Sequence, residues 1–275
     1  MDPTRHSGIG RIVDPRYPSN LFVLVAAAAS GLSWAIWKLV SEGDWGAALG
    51  RAAVAGLATF LAWAIARELD PDRPWIAGVA AVAAAALIGA GVPSLLIAGV
   101  VLMAVRVTAR TTGRNPTVVD LAVVGGLALL AGASDTGLPA AVVMGVVLMV
   151  DRFLPNGAHR LSMPIGLGVI AASVAAAALW GTLGAATGAP HGPEWTVVPV
   201  AVIGLAALGR PGRITAVGDL TGERLALARV RLDRAVAVAA AAATFVWLGG
   251  PGLTAGSVVW VALAAAALPG RASND

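Results

Sequence analysis

The amino-acid sequence predicts an all-α polytopic transmembrane helical bundle of about ten spans, with both termini in the cytoplasm. Three observations predict it. Apolar runs of membrane-crossing length follow one another almost without a break. Hydrophobic residues make up 58% of the 275-residue chain and charged residues only 12%, about half the charge of an ordinary soluble domain. The basic residues gather at every second junction between runs. A soluble globule could not bury this much apolar surface, and the mean hydropathy of +0.82 agrees.

Residues 1–19 form a cytoplasmic N-terminal segment, and 20–269 a single membrane domain with a long cytoplasmic loop at 210–232; 270–275 are a cytoplasmic tail. The first run, 20–40, is too long for the apolar core of a cleaved signal peptide and reads as a retained span. The next runs are 46–67, 74–91, 93–108, 116–132 and 137–153. They are followed by 163–183, 196–209, 233–249 and 252–269. Gly89-Ala90-Gly91-Val92-Pro93 separates the third from the fourth, and Gly249-Gly250-Pro251-Gly252 the ninth from the tenth. Each of these pairs is too long for one crossing, so tight hairpins are expected.

With the N-terminus inside, all of the 19 basic residues except Lys38 and Arg51 fall on the cytoplasmic side. Glu42, Asp44, Asp135 and Glu194 fall in the outer turns. This is the positive-inside pattern. It accounts for the net charge of +4 without nucleic acid, and no aromatic–basic interleaving suggests such a partner. Trp34, Trp37, Trp45, Trp180 and Trp195 fall near the outer boundary, as an aromatic belt does. Prokaryotic cytoplasmic membrane is the expected location. Membrane lipids, further copies of the chain or other membrane subunits are the expected partners.

Gly99-Val100-Val101-Leu102-Met103 recurs as Gly145-Val146-Val147-Leu148-Met149, and the same offset of 46 pairs Pro93 with Pro139 and Arg106 with Arg152. The third/fourth and fifth/sixth runs thus read as repeated helical hairpins, although Ala/Val/Gly-rich helices also converge cheaply. Gly125, Gly126, Gly166 and Gly168 are candidate points of close helix contact.

The chain has no cysteine, so thiolate chemistry and disulfides are excluded. His6, His159 and His191 are too scattered for a metal site, and no Walker, nucleophile-elbow or zincin motif occurs. The chemistry-bearing candidates are cytoplasmic carboxylates: Glu68, Asp70, Asp72, Asp120, Asp219 and Glu223. Asp72 has the place of a cap before Pro74, and Glu68 and Asp70 are placed to pair with Arg67 and Arg73. Asp120 stands in the first turn or so of its span, where the helix dipole favours an acid. Asp151 is placed for a local pair with Arg152. The stretch 219–234 is basic and amphipathic, as an interfacial helix is. Arg73, Arg224 and Arg229 are candidate anion or headgroup contacts.

Arg16-Tyr17-Pro18-Ser19-Asn20-Leu21, and Glu68-x-x-x-Asp72 followed by Arg73-Pro74-x-x-x-Gly78, resemble the intramembrane aromatic (UbiA-type) prenyltransferases. Asp219-x-x-x-Glu223 supplies a second acidic pair, one hairpin later than that family places its own. The resemblance implies a helical bundle in which cytoplasmic acids hold Mg²⁺ and a prenyl diphosphate. From the residues themselves, a transporter- or permease-like bundle, or a membrane subunit of a larger assembly, with no cofactor, is the leading expectation. The lipid or isoprenoid enzyme is the alternative.

Overall fold

The structure is a computed structural model that describes residues 7–154, 157, 159–180 and 214–269. The expected span at 196–209 lies outside the described residues. Among the described residues the chain is all-helical and contains no strand, only an isolated bridge between Val217 and Arg224.

The helices are α1 (Pro18–Glu42), α2 (Trp45–Leu69), α3 (Pro74–Leu87), α4 (Leu95–Ala109), α5 (Val118–Gly132), α6 (Leu138–Val150) and α7 (Ser162–Leu179). They are followed by α8 (Leu227–Leu248), α9 (Gly250–Ala255) and α10 (Ser257–Ala266). Local chemistry sets their ends. Pro18 and Pro74 occupy first turns, where the missing N–H costs nothing. Asp44 caps α2 through the Gly46 and Ala47 N–H groups, and Ser94 caps α4 through Ile97 N–H. Gly43, at φ 71°, turns the chain between α1 and α2.

Two expectations about the C-terminal third need correction. The basic stretch 219–234 is not one interfacial helix. Residues 214–226 form a turn closed by the Val217–Arg224 bridge, and 227–234 are the first turns of α8. The run 252–269 is not continuous either: Gly256 breaks it into α9 and α10.

Among the described residues three helices, α1, α2 and α7, are long and apolar enough to cross a membrane. Helix α1 turns Leu21, Phe22, Val25, Leu32, Ile36 and Val40 outward. Only 17% of its most apolar stretch is buried. Meanwhile Thr59, Thr108, Asp151, Ser173 and Thr244 are buried. Apolar groups outside and polar groups inside suit a hydrocarbon surround.

Alanine and glycine let the helices approach closely. A Cβ on Gly31 would lie 2.9 Å from the Ala52 carbonyl oxygen, at the crossing of α1 and α2. At the α6–α7 crossing, a Cβ on Gly166 would lie 2.5 Å from the Gly145 carbonyl oxygen. The other candidate glycines differ: Gly125 has ordinary contacts, and a Cβ on Gly126 or Gly168 would meet nothing within 4 Å. The two Gly-Val-Val-Leu-Met segments pack differently: Gly99 faces Leu127 while Gly145 abuts α7.

Candidate functional site

One end of the bundle collects most of the described ionisable side chains. The start of α1, the end of α2, the end of α4, the start of α5, the end of α6 and the start of α8 meet there; three ion clusters join α2, α4, α6 and α8, and hydrogen bonds of Asn20 and Asp120 tie in α1 and α5.

In the first, Glu68 is 1% exposed. It lies 3.2 Å from Arg106 Nε and 3.7 Å from Arg11 Nη1, and it accepts the Thr111 hydroxyl. The other side of Arg11 lies 2.7 Å from Asp219. The expected pair of Glu68 with Arg67 does not form. The second cluster centres on Asp70, bound by Arg73 at 2.7 Å and Arg234 at 2.8 Å. Arg73 also donates to the Ala266 and Leu268 carbonyls, tying the end of α10 to the start of α3. The third centres on Asp151, held by Arg110 at 2.9 Å and Arg229 at 2.8 Å. Asp151 therefore pairs across the bundle instead of locally with Arg152. Burial pushes the Arg110 guanidinium below its ordinary value, and the Asp151 charge opposes that shift.

The remaining candidates are placed as follows. Asp72 does not cap α3. It accepts Thr215 N–H at 3.1 Å, the Thr215 hydroxyl at 2.9 Å and Ala216 N–H at 2.7 Å, pinning the segment before α8. Asp120 forms a capping box with Thr117 and also accepts the Gly8 N–H at 2.7 Å and the Ser7 hydroxyl. It thereby straps residues 7–11 across this end. Glu223 and Arg224 are exposed, and Arg229 is buried against Asp151 and the Thr108 carbonyl. The structure thus joins Glu68 with Asp219 through Arg11, and leaves Glu223 and Arg224 apart.

The strap, the start of α1 and the ends of α2 and α4 enclose a cavity of about 430 Å³. Its wall includes Arg11, Tyr17, Asn20, Trp63, Arg67 and Arg106. The Arg67 guanidinium lies over the Trp63 ring at 5.2 Å and donates to Asn20 at 2.9 Å. Arg67 forms no ion pair among the described residues. The carboxylates on the wall are otherwise engaged: Glu68 and Asp219 by Arg11 and Arg106, and Asp14 by the Arg16 N–H. Sequence reasoning missed Arg11, Arg67 and Arg106 because topology alone explained their placement. The signal was Trp63, one helical turn before Arg67.

The donor set bears on a metal–diphosphate. Glu68, Asp70 and Asp219 already face guanidinium groups, and Asp72 and Asp120 accept backbone N–H groups. No three Asp, Glu or His residues group as metal ligands among the described residues. As arranged, these residues do not fit Mg²⁺. Comparison with family models, curated proteins and solved structures returned no match.

Proposed function

We propose that this chain is a multi-pass protein of a prokaryotic cytoplasmic membrane. It has about ten spans, cytoplasmic termini and a permease-like bundle. From the cytoplasmic side it recognises a ligand through a phosphate-type oxyanion. The observation that carries this reading is Arg67. It lines the cavity, is oriented by Trp63 and Asn20, and forms no ion pair among the described residues. A planar guanidinium with donors to spare matches a phosphate oxygen pair. Arg11 and Arg106, on the same wall, neutralise Glu68 and Asp219 and so keep those carboxylates from repelling an anion beside Arg67. The engaged state of the carboxylates favours this reading over a Mg²⁺-dependent prenyl transfer.

Binding of inorganic phosphate and of a short-chain phosphatidylglycerol to the purified full chain, measured by calorimetry, tests it. Saturable binding in either arm supports the proposal, and the stronger arm says whether the oxyanion is free or on a lipid headgroup. Arg67→Gln should weaken that binding about tenfold or more, as loss of a charge-assisted hydrogen bond does. No binding in either arm, or unchanged binding by Arg67→Gln, overturns it.

A further inference from the structure

Asp233 lies two turns into α8 and is 0% exposed. Neither of its carboxyl oxygens receives a well-formed hydrogen bond among the described residues, and the Arg234 backbone N–H is the one donor that acts on them. Every other buried carboxylate among the described residues has partners: Glu68, Asp70, Asp120 and Asp151. An ionised carboxylate left alone in the interior costs several kcal/mol. A neutral acid escapes most of that penalty.

The neighbours of Asp233 have an unusual arrangement. Arg229, four residues earlier, shares its helix face, and Arg234 is next in the chain. Both are second partners of carboxylates that already have a first. Asp151 is shared by Arg110 and Arg229, and Asp70 by Arg73 and Arg234. Either arginine of α8 can leave its carboxylate without stranding it. From the end of α2, Glu68 and Asp70 act on Asp233, as does Arg234. From α4, Arg106 and Arg110 reach this end but are held by Glu68 and Asp151. The turn after α6 contributes Asp151 and the exposed Arg152. Neither α9 nor α10 carries an ionisable side chain.

We propose that Asp233 is a proton-binding site: it is a neutral acid in this arrangement, and on releasing its proton to water it takes over Arg229 or Arg234 from the carboxylate each now shares. The exchange loosens α8 from Asp151 or from Asp70, so the packing of α8 follows the proton. In a bundle that moves a ligand, this would couple movement to protons, and that consequence alone rests on the function proposed above.

Infrared spectroscopy of the purified full chain tests the site without any ligand, so its outcome is independent of phosphate binding. At neutral pH the wild type should show a protonated-carboxyl C=O band that Asp233→Asn lacks. The band should fade as pH rises. Arg229→Gln and Arg234→Gln, which remove partners of the ionised form, should each move that fading upward by about one pH unit, a tenfold change in ionisation. Where Asp233→Asn does not accumulate, Asp233→Glu should shift the band. Identical spectra for wild type and the Asp233 variant overturn the proposal. So does a fading midpoint that neither arginine variant moves.

Discussion

Arg110 Nη2 lies 2.9 Å from an Asp151 carboxylate oxygen, with the two side chains 5% and 1% exposed. Arg229 closes on the same carboxylate from α8 at 2.8 Å. The cluster ties the ends of α4, α6 and α8 together. Removing one member of a buried pair leaves an uncompensated charge. Asp151→Asn should therefore destabilise the chain by about 3–5 kcal/mol in denaturant unfolding in detergent. Arg152→Ala, next door but exposed, should stay within about 0.5 kcal/mol. Equal unfolding midpoints for the two variants would show that the cluster does not hold these helices.

The strap over the cavity depends on Asp120, which receives Gly8 N–H and the Ser7 hydroxyl. Asp120→Ala should free residues 7–11 while costing about 1–3 kcal/mol through lost hydrogen bonds. Trypsin cleavage after Arg11, half-buried in the wild type, should become faster. An unchanged cleavage rate would mean that Arg11, through Glu68 and Asp219, holds the strap without Asp120.

Close packing at the α6–α7 crossing predicts a sharp contrast between glycines on one helix. Gly166→Val puts a Cβ at 2.5 Å from the Gly145 carbonyl oxygen and should cost about 1–3 kcal/mol by overpacking. Gly168→Ala meets nothing within 4 Å and should be nearly neutral or slightly stabilising. Equal unfolding midpoints would argue against this helix register.

The absence of native cysteine makes the topology directly testable. Ser41→Cys, exposed in the last turn of α1, should react with a membrane-impermeant maleimide on intact cells. Glu223→Cys, exposed at the opposite end, should react only after permeabilisation. The reverse pattern would invert the proposed orientation and move the cavity to the outer face.

Helix positions were largely legible because apolar periodicity and Pro/Gly punctuation are local. The run 46–67 became Trp45–Leu69, and 116–132 became Val118–Gly132. The break at Gly256 also has a local sign, which the hydrophobicity of the flanking residues masks. Pairing was far less legible. Asp72 stands at a capping distance from α3, yet its partners are Thr215 and Ala216, more than a hundred residues away. Glu68 has Arg67 as its neighbour, but a helix points adjacent residues in different directions. Arg67 turns to Asn20 and Trp63, while Glu68 turns inward to Arg106.

By itself, the sequence determined the solvent-facing chemistry of this protein. Its apolar runs make α1, α2 and α7 long and apolar enough to cross a membrane, and its charges stand between the apolar runs. Those properties are sums over residues and need no fold. Only the tertiary structure decided which charges neutralise each other, because a pair is defined by distance between helices remote in sequence. It consumed Arg229 and Arg73 in ion pairs, left Arg67 facing a cavity, and buried Asp233 with no side-chain partner among the described residues. The residues that carry the functional proposals are thus set apart by their partners, which the order of the chain does not specify.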